Sequence, residues 1–171
     1  ILTNANLVMA RPGFMREAAN AGADSLLIAD LPALEAEPYV REMEQSGIEP
    51  VLIAAPNTPD STLSSIARLS KAYIYCVSRS GITGTHSDAR FDPSLVARLR
   101  SAGASARPVF GFGISRPEHV QAGLMAGAAG VICGSAIVQL TRGPTAQVAQ
   151  FVAAMKAATR ADSRLISVSS S

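Results

Sequence analysis

Three short glycine-bearing turns, Ser80-Gly81-Ile82-Thr83-Gly84, Gly111-Phe112-Gly113-Ile114-Ser115 and Gly134-Ser135, each follow an apolar run. Glycine lets a backbone approach an anion with no Cβ in the way. Helices opening after Gly113 and Gly134 would add free N–H groups and the positive end of the helix dipole. Each turn alone is ordinary turn chemistry, but three at successive strand ends describe a cup for a phosphate. Neither a dinucleotide fingerprint nor a P-loop fits, since the second turn continues as Gly111-Phe112-Gly113-Ile114-Ser115-Arg116 and lacks the third glycine or the lysine those motifs need.

Other chemistries find less support. An imine mechanism needs a lysine projecting from a strand into a pocket, whereas Lys71 precedes a strand and Lys156 falls on the last helix. His86 and His119 have no partner at metal-ligand or triad spacing and read as solvated surface residues. Cys76 and Cys133 sit alone inside apolar runs and read as buried free thiols, with no metal site and no disulfide framework. Asp30 ends a strand in Leu27-Ile28-Ala29-Asp30-Leu31-Pro32. It is either a carboxylate on a functional rim or a helix-cap or turn aspartate. Tyr75 has side-chain parity opposite to Ile74 and Cys76, so it points either into a barrel mouth or outward beneath a helix.

The elements that must position these residues follow from composition and periodicity. The chain has 171 residues, 48% hydrophobic and 16% charged, with a formal net charge of +2. That suffices for one well-buried core and excludes disorder. Fifteen basic residues against 13 acidic ones, without a run of like charge or interleaved stacking aromatics, argue against a nucleic-acid partner. No apolar stretch approaches the roughly 20 residues that cross a bilayer, and no leader pattern opens the chain. It reads as soluble and cytoplasmic.

Six apolar runs predict strands at residues 1–3, 25–29, 51–54, 72–77, 108–110 and 130–133. Between them Thr58-Pro59, Asp92-Pro93 and Ser115-Arg116-Pro117-Glu118 predict capped helix starts, the last a capping box. Gly22, Gly47, Gly103 and Gly127 predict left-handed helix ends. Strand centres near Leu2, Leu27, Leu52, Tyr75, Phe110 and Ile132 lie 25, 25, 23, 35 and 22 residues apart, the span of one βα unit. Such alternation implies a parallel sheet, either doubly wound or a TIM barrel. The longer interval holds a polar loop, Ser78 to Phe91, of functional character. A short helix after Gly134 and a second over residues 146–160 follow the sixth strand, as in barrels with an extra helix after the last strand.

Four segments match one family in order and spacing: 27–32, Tyr75-Cys76-Val77-Ser78-Arg79-Ser80-Gly81-Ile82-Thr83-Gly84, 111–115, and Gly130-Val131-Ile132-Cys133-Gly134-Ser135-Ala136-Ile137-Val138. From residue 1 to about 161 the chain resembles the tryptophan synthase alpha chain. The resemblance implies a TIM (β/α)8 barrel, here incomplete with about six parallel strands over residues 1–161, while the serine-rich composition of 162–171 reads as a disordered tail. It implies a lyase of the carbon–oxygen class in tryptophan biosynthesis that cleaves indole-3-glycerol phosphate to indole and glyceraldehyde 3-phosphate. No metal or organic cofactor belongs to this chain. Pyridoxal phosphate belongs to a beta chain, the expected partner in an alpha2-beta2 complex.

By the same resemblance, Gly84, Gly113, Gly134 and Ser135 hold the substrate phosphate. Leu2, Leu27, Tyr75, Phe112 and Ile132 line the indole and glycerol pocket, Thr83 sits in the loop over the site, and Asp30 lies on the rim near the partner contact. Family members are longer, and this chain begins at what looks like their third strand. The catalytic glutamate and aspartate would lie upstream of Ile1, so the expectation is a chain that binds substrate without cleaving it. Six strands of eight would also leave the barrel unclosed. The other readings are a non-catalytic phosphate-binding module that docks on a beta chain and, more weakly, a phosphate-binding isomerase of histidine synthesis.

Overall fold

The computed structural model describes residues 1–78 and 91–160. Among these, the apolar runs form six strands: β1 (Leu2–Thr3), β2 (Ser25–Ile28), β3 (Glu49–Ala54), β4 (Tyr73–Val77), β5 (Arg107–Gly111) and β6 (Gly130–Val131). The helices are α1 (Ala5–Ala10), α2 (Phe14–Asn20), α3 (Glu37–Gln45), α4 (Asp60–Leu69), α5 (Pro93–Ser101), α6 (Pro117–Met125), α7 (Ser135–Leu140) and α8 (Thr145–Ala158), with one 3-10 turn at Ala33–Glu35. Every predicted strand is present, with ends shifted by a residue or two. The strand order is β1-β2-β3-β4-β5-β6, the α/β arrangement of an incomplete parallel barrel. Thr83, Gly84 and His86, and the tail 162–171, lie outside the described residues.

Two compact units divide the chain, Ile1–Val77 with Ser94–Pro108, and Ser78–Pro93 with Val109–Ser171. In the first, β1 to β4 pair in parallel, with Leu2 beside Leu27, Leu27 beside Val51 and Ile53 beside Tyr75. Residues paired in a ladder share a face and neighbours along a strand alternate. One face therefore carries Leu2, Leu27, Val51, Ile53 and Tyr75, and the other Leu26, Ile28, Leu52, Ile74 and Cys76. The second face is the helix-covered one: Leu26 and Ile28 pack with Val8 of α1, Met15 and Ala18 of α2, and Met43 of α3. Burying a side chain of this size contributes about 1.5–3 kcal/mol. In the second unit Ile114, Val120, Met155 and Ala158 form a cluster flanked by Phe91, Val131 and Cys133.

The four predicted glycine ends are all left-handed, with φ of +89° at Gly22, +77° at Gly47, +80° at Gly103 and +91° at Gly127. Each closes a helix with the same pair of bonds. At α3, Gly47 N–H donates to Glu44 O (3.1 Å) and Ile48 N–H to Met43 O (2.9 Å). This is the Schellman pattern, in which the residue after the glycine is delivered straight into the next strand or its approach.

Of the three predicted helix starts, α5 does begin at Pro93, directly after Asp92, and the other two depart from expectation. Thr58 does not cap α4, because its hydroxyl accepts the Ala55 N–H at 2.9 Å and so closes a turn in the loop instead. Ser115 forms no capping box. Arg116 is the N-cap of α6 and makes no side-chain cap bond. The Ser115 N–H donates instead to His119 Nδ1 at 3.2 Å, a histidine at N3 accepting from the residue before the cap.

Gly47→Ala isolates the conformational term, because a Cβ there meets no atom within 4 Å and only the positive φ opposes it. Urea unfolding should show a loss of about 1–2 kcal/mol, with the slope against urea unchanged.

Candidate functional site

Parallel pairing places the ends of β5 and β6 side by side, with Phe110 beside Val131 and Ile132 N–H donating to Phe110 O at 2.8 Å. The two described glycine turns follow directly. Gly113, Gly134 and Ser135 are all exposed at this edge. Two consecutive left-handed residues, Phe112 at φ +80° and Gly113 at φ +75°, turn the chain after β5. A left-handed conformation at a residue with a Cβ is uncommon and persists where its surroundings hold it, often at functional sites. The Phe112 side chain is 59% exposed.

Gly134 is the N-cap of α7, with φ −119° and no side-chain cap bond. A Cβ built there would meet nothing within 4 Å. Neither backbone conformation nor packing within the chain therefore calls for glycine at this position. The open space beside it fits close approach by a ligand. Gly123 shows the opposite case, since its Cβ would lie 2.8 Å from Val131 Cγ1, and its glycine is explained by helix-on-strand packing.

The helix amides contribute unequally. The start of α6 presents fewer donors than its length would offer: Pro117 has no N–H, the Ser115 amide is taken by His119 Nδ1, and the His119 amide by Arg116 O. His119 is not the solvated residue expected from its lack of sequence partners. It is 6% exposed, and its Nε2 faces the Arg116 guanidinium at 3.1–3.4 Å. A neutral imidazole has one acceptor nitrogen, so the Ser115 amide and the guanidinium compete for it. At α7 the Ala136 and Ile137 amides face Cys133 and draw its thiol pKa down, but burial is the larger effect and pushes it up. Cys133 is half-buried rather than buried, unlike Cys76, and its Sγ donates to Ile114 O at 2.9 Å. Behind the β5 turn, Ser78 Oγ donates to Phe112 O at 2.7 Å. Neither contact has a signature in sequence, because both join segments far apart in the chain.

The expected pocket residues fall into the two units. In the first, Leu2, Leu27 and Tyr75 share the face opposite the one on which Leu26 and Ile28 pack with α1, α2 and α3. Leu27 is 4% exposed and Leu2 71%. In the second, Ile132 lies between Val131 and Cys133, both packed against the helical cluster, and so takes the opposite face. Asp30 follows β2 and its Oδ1 accepts the Ala5 N–H at 2.7 Å, while Asn4 Oδ1 accepts from Leu7 N–H at 2.9 Å. Its geometry is that of a helix cap supplied from a neighbouring strand. No group of three or more His, Cys, Asp or Glu able to hold a metal occurs among the described residues, and no described helix is long and apolar enough to cross a membrane.

A family model for the tryptophan synthase alpha chain matches residues 1–165. The tryptophan synthase alpha chain of Vibrio cholerae serotype O1 is 42% identical over 170 residues, covering 94% of this chain and 63% of the relative. That of Histophilus somni is 39% identical, with 93% and 63% covered. Among solved structures, a chain of the tryptophan synthase a2b2 complex from Pyrococcus furiosus superposes with a TM-score of 0.76 at 29% identity. It covers 91% of this chain and 63% of that one. An Aquifex aeolicus protein gives a TM-score of 0.79 at 25% identity over 92% and 60%. The chain spans just under two thirds of the length of these relatives.

Burial raises the pKa of both Tyr73 and Tyr75 above the ordinary 10.0, and for Tyr75 the neighbouring Tyr73 adds to the rise. A folded-state value above the unfolded one means that stability is intact below about pH 10 and falls as the pH climbs further. In a phenolate absorbance titration, Tyr75→Phe should remove a component that titrates above pH 10. Loss of a component at or below the ordinary value would contradict the half-buried placement.

Proposed function

This chain belongs to the tryptophan synthase alpha chain family, and from that membership we propose that it carries the substrate-holding part of the family's lyase reaction in tryptophan biosynthesis. The substrate is indole-3-glycerol phosphate and the products are indole and glyceraldehyde 3-phosphate. The exposed turns at Gly113 and at Gly134-Ser135 seat the phosphate, joined by Gly84. By family membership, Leu2, Leu27, Tyr75, Phe112 and Ile132 are assigned to the indole and glycerol parts of the substrate, and Thr83 to the same reaction. Residues 1–161 act as one partial barrel domain in this reading.

Cleavage of the carbon–carbon bond needs an acid to protonate the indole ring at C3 and a carboxylate to take the ring N–H proton, each worth about 10²–10⁴-fold. The carboxylates that follow β2 have other partners. Asp30 is engaged as a cap, and Glu37 pairs with Arg41 and Arg68. The chain's own contribution is therefore binding and orientation. No metal or organic cofactor takes part on this chain. The partner is a pyridoxal-phosphate beta chain in an alpha2-beta2 complex, with Asp30 on the rim near that contact, and the setting is cytoplasmic.

The observation that carries this reading is Gly134, a glycine at the N-terminus of α7 whose missing Cβ leaves open space. Gly134→Ala should leave stability within about 0.5 kcal/mol while weakening binding of glyceraldehyde 3-phosphate at least about tenfold, read by calorimetric titration. The parent chain, given indole-3-glycerol phosphate and purified beta chain, should bind without appreciable turnover. Equal binding by Gly134→Ala, or no binding by the parent, would overturn the phosphate assignment.

A further inference from the structure

The turn between β5 and α6 is gripped by two side chains that no step of the proposed reaction uses. Ser78 Oγ donates to Phe112 O at 2.7 Å, and Cys133 Sγ donates to Ile114 O at 2.9 Å. These two carbonyls flank Gly113. In a planar trans peptide the C=O and the following N–H point in opposite directions. A Phe112 carbonyl drawn to the buried Ser78 therefore turns the Gly113 N–H the other way. The Ile114 carbonyl drawn to Cys133 likewise turns the Ser115 N–H away from the thiol, and that amide meets His119 Nδ1 at 3.2 Å. Cys133 also immediately precedes Gly134, so one contact ties the β5 turn to the β6 turn.

We infer that Ser78 and Cys133 are positioning residues that aim the Gly113 amide at the phosphate and set the spacing of the two turns. The inference rests on the phosphate-holding role proposed above. It accounts for the left-handed Phe112, φ +80°, which is held where its carbonyl reaches Ser78. Burial keeps the thiol protonated at neutral pH, so its S–H remains available to donate.

The test uses the full chain, glyceraldehyde 3-phosphate as the probe, and NMR amide exchange at Gly113 and Ser115. Ser78→Ala and Cys133→Ala should each weaken binding about fivefold to tenfold and speed exchange at both amides. Ser78→Thr and Cys133→Ser, which keep a donor in place, should retain the parent affinity and exchange. Ser70→Ala serves as the control. Ser70 is a buried serine of the other unit whose hydroxyl has no partner among the described residues, and its loss should change neither readout. If the parent binds and the alanine variants bind as well, or if Cys133→Ser behaves like Cys133→Ala, the positioning role is wrong while the phosphate role stands. Failure of the parent to bind would sink the phosphate role. Unchanged amide exchange in the alanine variants would overturn the positioning role whether or not the parent binds.

Discussion

Two parallel strands cannot be joined by a tight turn, because the chain must return the full length of the strand before it can pair again. Each return here is made by a helix or helices packed on the sheet. Where such a helix ends, the chain must reverse sharply to enter the next strand from the correct side. Gly22, Gly47, Gly103 and Gly127 supply that reversal, each with the same two hydrogen bonds to the last helical turn. The consequence reaches the chemistry. In the second unit β5 and β6 run parallel, so the loops at their C-terminal ends emerge side by side, and the turns at Gly113 and Gly134 lie there.

Glycine serves three separable purposes in this chain. At Gly47 it supplies a positive φ, at Gly123 it removes a Cβ that would collide with Val131, and at Gly134 it leaves a space open beside the first amides of α7. Only the third points to a ligand. The first two are matters of conformation and packing within the chain, and the third meets neither demand.

The periodic features were legible in the sequence. The six strands, the left-handed glycines and the alternation of Tyr75 with Ile74 and Cys76 all depend on residues near one another in the chain. Hydrogen-bonding choices were less so. Thr58 and Ser115 carry the sequence pattern of helix caps, yet Thr58 closes a loop turn and Ser115 gives its amide to His119. A hydroxyl or amide with several partners in reach is assigned by whichever lies at the right angle, and spacing along the chain does not contain that angle. Asp30 shows the same limit. Its place after a strand suits a rim carboxylate and a cap equally, and the amide it meets belongs to Ala5, 25 residues away.

By itself the sequence determined the class of fold, the repeat of strand and helix, the family, and the glycine turns that could seat an anion. These follow from hydrophobic period, from backbone freedom at glycine, and from motifs contiguous in the chain. Tertiary structure decided which face Tyr75 takes, that His119 is buried, and that Ser78 and Cys133 reach the carbonyls on either side of Gly113. Those contacts join residues 34 and 19 positions apart, and only the pairing of parallel strands brings them within a hydrogen bond's length.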